Sequence, residues 1–164
     1  MKTSNALSPD RLMQFAWVVR VHAVDWPRVL TVTERVAPRC GVADRLTGVP
    51  ADFKKVDWGT GHQVATFGHI LHSEGREGSR ALLQKAFAAL APGGTVAIME
   101  FLAANDRTGP PPALIFAVNM LVHTEAGDIF TFAEISECLR EAGFVNPRLF
   151  EVPSVSPLVL ATRQ

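Results

Sequence analysis

The chain has 164 residues, 48% apolar and 20% charged, which is enough for one domain with a buried core and excludes a disordered, collagen-like or disulfide-built protein. Sixteen basic residues balance sixteen acidic ones, so no global field draws the chain to nucleic acid or to an anionic membrane. No apolar run approaches the roughly 18–20 residues that span a bilayer, and the N-terminus lacks a secretory pattern. The two cysteines, Cys40 and Cys138, lie far apart without a CxxC partner, so inert thiols in a reducing, cytoplasmic setting are expected.

Ser8-Pro9-Asp10 supplies an N-cap, a first-turn proline and an early carboxylate, which predict a short helix to about Trp17. Val18 to Val24 is rich in β-branched residues and predicts a strand ending at Asp25-Trp26-Pro27, where proline opens a helix running to about Ala37. Pro38 and Gly41 break that helix, and Arg45 to Val49 is a short strand candidate leading into Pro50-Ala51-Asp52-Phe53. Gln63 to Gly68 reads as a buried strand, followed by a Glu/Gly-rich loop that carries His69 and His72. A helix from Arg80 to Leu90 is ended by Ala91-Pro92-Gly93-Gly94, and Thr95 to Phe101 is the clearest strand in the chain. Asn105 to Pro112 is a loop, and Ala113 to His123 is so evenly apolar that it predicts a buried or interface helix. Thr131 caps a helix to about Ala142 that stops at Gly143, and Asn146 to Val152 and Leu158 to Thr162 form a closing antiparallel pair. The alternation implies an α/β domain with a largely parallel sheet, in which ligands bind at the carboxyl ends of strands.

The residues at those ends are Asp25, Asp52, His69, His72 and Glu100. Asp25 suits a ribose diol or the cap of the helix that follows, and Asp52 suits a ligand or an ordinary turn. One of the two histidines is a candidate general base, with Glu100 able to orient it or to hydrogen-bond the substrate; the plainer reading of Glu100 is a solvated or core-rim carboxylate. His69 and His72 are spaced to share a helix face, but no local motif supplies a third ligand, so no metal site is expected. No GxSxG or complete phosphate loop is present, which removes the hydrolase and kinase readings.

Several pieces in this order resemble the C-terminal part of a class I S-adenosylmethionine-dependent methyltransferase of the O-methyltransferase family, from about Val18 to Arg163. They are Ala23-Val24-Asp25-Trp26-Pro27-Arg28-Val29-Leu30, Gly41-Val42-Ala43-Asp44-Arg45, Ile70-Leu71-His72, Ala89-Leu90-Ala91-Pro92-Gly93-Gly94 with Ile98-Met99-Glu100, Phe130-Thr131, and Glu141-Ala142-Gly143-Phe144. The resemblance implies an α/β, Rossmann-like methyltransferase sheet with flanking helices and an antiparallel C-terminal strand pair, lacking the family's first strand and glycine loop. It divides the chain into a helical lead-in over 1–17 and a partial catalytic domain over 18–164. It implies S-adenosylmethionine held by Asp25 with Trp26 and by Asp52 with Phe53, His72 as general base positioned by Glu100, and an acceptor pocket lined by Phe116, Asn119 and Met120. Ser73-Glu74 stands where relatives carry Asp-Trp. The implied reaction is methyl transfer to a hydroxyl of an apolar or aromatic small molecule. The alternative is an inactive truncated domain or an interaction module, associating with itself or with a partner chain that supplies the missing strand.

Overall fold

The computed structural model describes residues 19–164, and the helix expected up to Trp17 lies outside them. The described chain divides into two units, the first ending at Asp57 and the second spanning Trp58–Gln164.

In the first unit, β1 (Val21–Asp25) and β2 (Leu46–Pro50) pair in parallel, in register from Val21 opposite Leu46 to Asp25 opposite Pro50. Parallel strands need a crossover, and α1 (Pro27–Val36) provides it. Pro27 fits the first turn because the N–H it lacks has no intrahelical partner there. Buried Leu30 lies 3.4 Å from where a Cβ on Gly48 would stand, so helix and strand meet at a glycine. The helix tightens into a 3-10 turn over Ala37–Cys40 and ends at Gly41, whose φ of 64° needs no Cβ.

The second unit is built on a four-stranded sheet in the order β3-β4-β8-β7, comprising β3 (His62–Gly68), β4 (Leu90–Met99), β7 (Phe144–Phe150) and β8 (Leu158–Arg163). Only β3 and β4 run parallel here; β8 is antiparallel to both β4 and β7. The sheet is therefore mixed rather than largely parallel, because the loop between β7 and β8 is too short for a parallel crossover. Burial alternates along β4, with Gly94, Val96 and Ile98 inward, and the same period carries Glu100 inward one residue past the strand. Ala91 to Gly94, expected as a helix stop, is absorbed into β4 as an irregularity: His62 pairs with Leu90 and Val64 with Thr95.

The long helix α2 (Leu71–Ala89) starts nine residues before the expected Arg80, within what the sequence reads as a loop. Its C-terminal half packs Leu82, Leu83, Ala86 and Ala89 into the core at helical spacing. Its first turn is separated by a break at Gly75, where φ is 64° and ψ −176°, a region essentially reserved for glycine. The break deprives the first-turn carbonyls of their usual helical donors, and other groups replace them. The Ser79 hydroxyl donates to the Leu71 carbonyl at 3.0 Å, and the Asp128 N–H donates to the His72 carbonyl at 2.9 Å. At the other end of α2, the Arg163 guanidinium donates to the Ala88 and Leu90 carbonyls and lies over the Phe87 ring.

Past Glu100, the short β5 (Leu102–Ala103) pairs in parallel with β6 (Phe130–Thr131), and α3 (Pro111–His123) packs against this pair through Ala113, Leu114, Phe116 and Ala117. That helix was expected to be buried or to lie in an interface. In the chain by itself Ala113 and Met120 are buried, whereas Ile115, Val118, Leu121 and Val122 are 61–78% exposed. One stripe of contact suffices to hold it. Next comes α4 (Phe132–Glu141), opened by a complete capping box in which Thr131 and Glu134 satisfy each other's backbone N–H. Among the described residues no helix is long and apolar enough to cross a membrane.

A Cβ at residue 75 would stand 2.4 Å from the Ala126 carbonyl oxygen, in addition to a combination of φ and ψ that only glycine adopts readily. Gly75→Ala is therefore expected to destabilise the protein by about 3 kcal/mol, read as a lower urea midpoint at unchanged m.

Candidate active site

Three elements of the second unit converge where β3 and β4 end. His69 follows β3 directly, its N–H donating to the Met99 carbonyl at 2.9 Å, so it extends the β3–β4 ladder before the chain turns into α2. Its φ is 55°, an uncommon conformation for a residue with a side chain. His72 sits in the first turn of α2, and Glu100 leaves β4 on the inward face.

Glu100 is 1% exposed, which removes the reading of a solvated rim carboxylate. A carboxylate at that depth needs donors, and it has them. One oxygen, Oε1, accepts the Leu71 N–H at 2.8 Å, a helix N-terminal donor with no intrahelical partner. The other, Oε2, lies 2.7 Å from His72 Nδ1. Because an ionised carboxylate only accepts, this contact assigns the proton of neutral His72 to Nδ1 and leaves the lone pair on Nε2. The ring is 11% exposed and meets Phe116 edge-on at 4.8 Å; Phe116 in turn packs on Phe101 at 4.7 Å, and Phe101 on His69 at 5.1 Å. Aromatic rings thus border the histidine pair.

His69 and His72 do not share a helix face, since His69 precedes the helix in a left-handed conformation. They approach instead around Glu100, with ring centroids 6.1 Å apart and His69 Nδ1 3.9 Å from Glu100 Oε2. The third group that local spacing does not supply comes from 28 residues further along the chain. Phe101, which no sequence motif singles out, joins the site because it adjoins Glu100. Of the three residues expected on the acceptor side, Phe116 reaches His72, Met120 is buried, and Asn119 is exposed with its backbone carbonyl bonded to His123 Nδ1 at 3.0 Å.

In the first unit, Asp25 and Asp52 lie at the carboxyl end of the β1–β2 pair, joined there by the Ala51 N–H donating to the Asp25 carbonyl at 3.1 Å. Asp25 Oδ1 accepts the N–H of Trp26 at 2.7 Å, and α1 has no side-chain cap, so Asp25 does not serve as one. Trp26 is half-exposed. Asp52 accepts the Lys54 N–H at 3.0 Å, and its carbonyl accepts from Lys55 and Val56, so it does form the ordinary turn its sequence allows, with Phe53 inside that turn.

A family model described as an O-methyltransferase domain matches residues 12–145. The chain belongs to the O-methyltransferase family. Among curated relatives, the 3-hydroxy-5-methyl-1-naphthoate 3-O-methyltransferase of Streptomyces sahachiroi is 37% identical over 143 residues, covering 85% of this chain and 41% of the relative. The L-tyrosine C(3)-methyltransferase of Streptomyces lavendulae is 32% identical over 143 residues, covering 84% and 39%. In fold, the chain matches human N-acetylserotonin methyltransferase, solved in complex with S-adenosylmethionine, with a TM-score of 0.80 and 21% identity over 94% of this chain and 43% of that one. The chain spans about two fifths of the length of these relatives. The mixed α/β sheet with flanking helices and the antiparallel C-terminal pair agree with the expected family architecture.

The capping box also supports the His69–His72–Glu100 cluster, because β6 borders β5, the continuation of Glu100. Arg107 reaches Glu134 Oε1 at 2.8 Å and the Ile129 carbonyl at 3.4 Å, tying the 104–109 loop to the same cap. Partial burial pushes the Glu134 carboxyl up, but the Thr131 N–H and the Arg107 guanidinium outweigh it and hold the group below its ordinary value. A depressed folded value means stability that is present above the unfolded carboxyl range and lost as pH falls through the folded value. Glu134→Gln keeps a side chain that can close the capping box but loses the charge facing Arg107, and is expected to cost about 0.5 kcal/mol at neutral pH. The difference from the parent should shrink toward zero in acid, as denaturant melts from neutral pH down to the acid limb will show.

Proposed function

We propose that the protein is an S-adenosylmethionine-dependent methyltransferase acting on a hydroxyl-bearing aromatic small molecule, with His72 as general base and Glu100 as the residue that orients it. The observation that carries this reading is the buried Glu100–His72 contact at 2.7 Å, which keeps the basic lone pair on Nε2 beside the aromatic rings of Phe116 and Phe101. Bound S-adenosylmethionine supplies a methyl group already activated on a sulfonium. What remains for the protein is to hold the acceptor in line and take its proton. His72 takes that proton at Nε2, and Glu100 stabilises the imidazolium that results.

For the cofactor, Asp25 and Asp52 present carboxylates at the carboxyl end of a parallel pair, where such sheets bind nucleotides. Asp25 suits the ribose hydroxyls, half-exposed Trp26 stands beside it, and Phe53 offers an apolar wall beside Asp52. On the acceptor side, Phe116 is the contact residue, with Met120 shaping the helix behind it and Asn119 at the helix surface. One relative is named for methylation of a hydroxynaphthoate oxygen and another for methylation at carbon 3 of L-tyrosine. A base that removes a phenolic proton serves both outcomes, since a phenolate is nucleophilic at oxygen and at the adjacent ring carbon. In solution, a cytoplasmic setting agrees with two free cysteines.

A second reading, favoured by the β1 and β3 edges, is a chain that acts only when another polypeptide or a second copy supplies a strand. Among the described residues each of these strands is bonded along one edge alone.

Calorimetric titration with S-adenosylmethionine separates the readings. Saturable binding that disappears in Asp25→Ala is expected for the first, and no saturable heat at any concentration would sink it. Where methyl transfer to a phenolic acceptor is followed, His72→Ala should lower kcat by about 10²–10⁴-fold and Glu100→Gln by a smaller factor, with the product's methylated atom identified by NMR.

A further inference from the structure

Two imidazoles are turned toward one carboxylate oxygen, and only one of them is within hydrogen-bonding distance of it. His72 Nδ1 lies 2.7 Å from Glu100 Oε2, His69 Nδ1 lies 3.9 Å from the same oxygen, and the donor atoms of the three residues all fall within 4.8 Å of one another. The carboxylate cannot swing away, because it is buried and its other oxygen is tied to the Leu71 N–H. His69 is held in place by a backbone at φ 55° and by the Phe101 ring at 5.1 Å. A non-glycine residue in that conformation is uncommon, and here the conformation places a second imidazole near the carboxylate.

Two imidazole nitrogens and one carboxylate oxygen are a donor set that binds zinc in three-ligand sites, at about 2.0–2.2 Å from the ion. Ligand atoms around a tetrahedral ion of that size stand roughly 3.3 Å apart, and the two observed separations from Oε2 fall on either side of it. Small adjustments of two side chains would equalise them. With two of three donors being imidazoles, the site favours zinc, cobalt, nickel or copper over magnesium or calcium.

We propose that His69, His72 and Glu100 form a binding site for a divalent transition metal of the zinc class, and that occupancy converts His72 to its Nε2–H tautomer. The proton count is simple. In the metal-free protein Nδ1 of His72 carries the proton and Nε2 the lone pair. The metal takes a lone pair from Nδ1, the Nδ1 proton passes to solvent, and Nε2 takes one up, so the ring stays neutral and nothing is oxidised. The ion also holds Glu100 Oε2 and His69 Nδ1, and solvent completes its coordination. Metal binding does not depend on His72 being the base. The consequence for activity does rest on that reading: a base whose Nε2 is protonated cannot accept the acceptor's proton, so the bound metal acts as an inhibitor.

The test uses the chain with Cys40→Ser, which removes the exposed thiol that would otherwise compete for soft metals. Zinc titration by calorimetry is expected to show one ion per chain. His69→Asn, chosen because asparagine tolerates a positive φ, is expected to weaken that binding by about tenfold or more. Long-range proton–nitrogen correlation spectra should move the His72 proton from Nδ1 to Nε2 when zinc is added. Absence of stoichiometric binding, binding that is indifferent to His69→Asn, or a His72 that keeps its Nδ1 proton with zinc bound would each overturn the proposal. Should His72→Ala retain full methyl transfer, the base reading fails while the zinc and tautomer results stand on their own.

Discussion

Burying the Glu100 carboxylate is the constraint around which the second unit is arranged. A carboxylate at 1% exposure is costly unless each oxygen meets a donor, and the fold supplies one to each: the first free N–H of α2 and the Nδ1 proton of His72. Those donors come from the start of α2, whereas Glu100 comes from the end of β4. Satisfying the charge therefore fixes where α2 begins relative to the sheet, and it fixes the tautomer of the histidine in the same contact.

The rest of the second unit shows how that placement is sustained. A continuous helix from Leu71 would carry its first turn along the axis set by the Leu82–Leu83–Ala86 face. The break at Gly75 releases the turn from that axis, and the Asp128 N–H and the Ser79 hydroxyl replace the hydrogen bonds the break removes. Asp128 immediately precedes the segment that Arg107 and the Thr131–Glu134 capping box hold beside β5. Strand end, helix start and capped loop thus reach the histidine from three directions. Surface ion pairs between α2 and α4, Arg76 with Glu137 and Arg80 with Glu141, are exposed and add little to this.

Much of the framework was legible in residue order because it rests on local rules. The period-2 burial of β4, the Thr131 cap with Glu134 three residues on, and the two C-terminal strands follow from patterns within a few residues. The start of α2 did not, because two glycines and several charges between Glu74 and Gly78 carry the composition of a loop, and only Glu100 and Ala126 show why a helix begins there with a break. The exposed face of α3 was hidden for the opposite reason: an all-apolar helix has no polar stripe to tell which side will be left in solvent.

Sequence alone determined the order of the main strands and helices, which depends on residue types at short spacing, while the order of motifs that resembles the O-methyltransferase family marked His72 and Glu100 as candidates. Tertiary structure decided that Glu100 is buried rather than at the rim, that His69 faces the same carboxylate instead of sharing a helix face with His72, and that Phe101 joins the site. The physical reason is that a buried charge is satisfied by whatever donors the fold brings to it, and those donors lie about 30 residues away, beyond the reach of any local pattern.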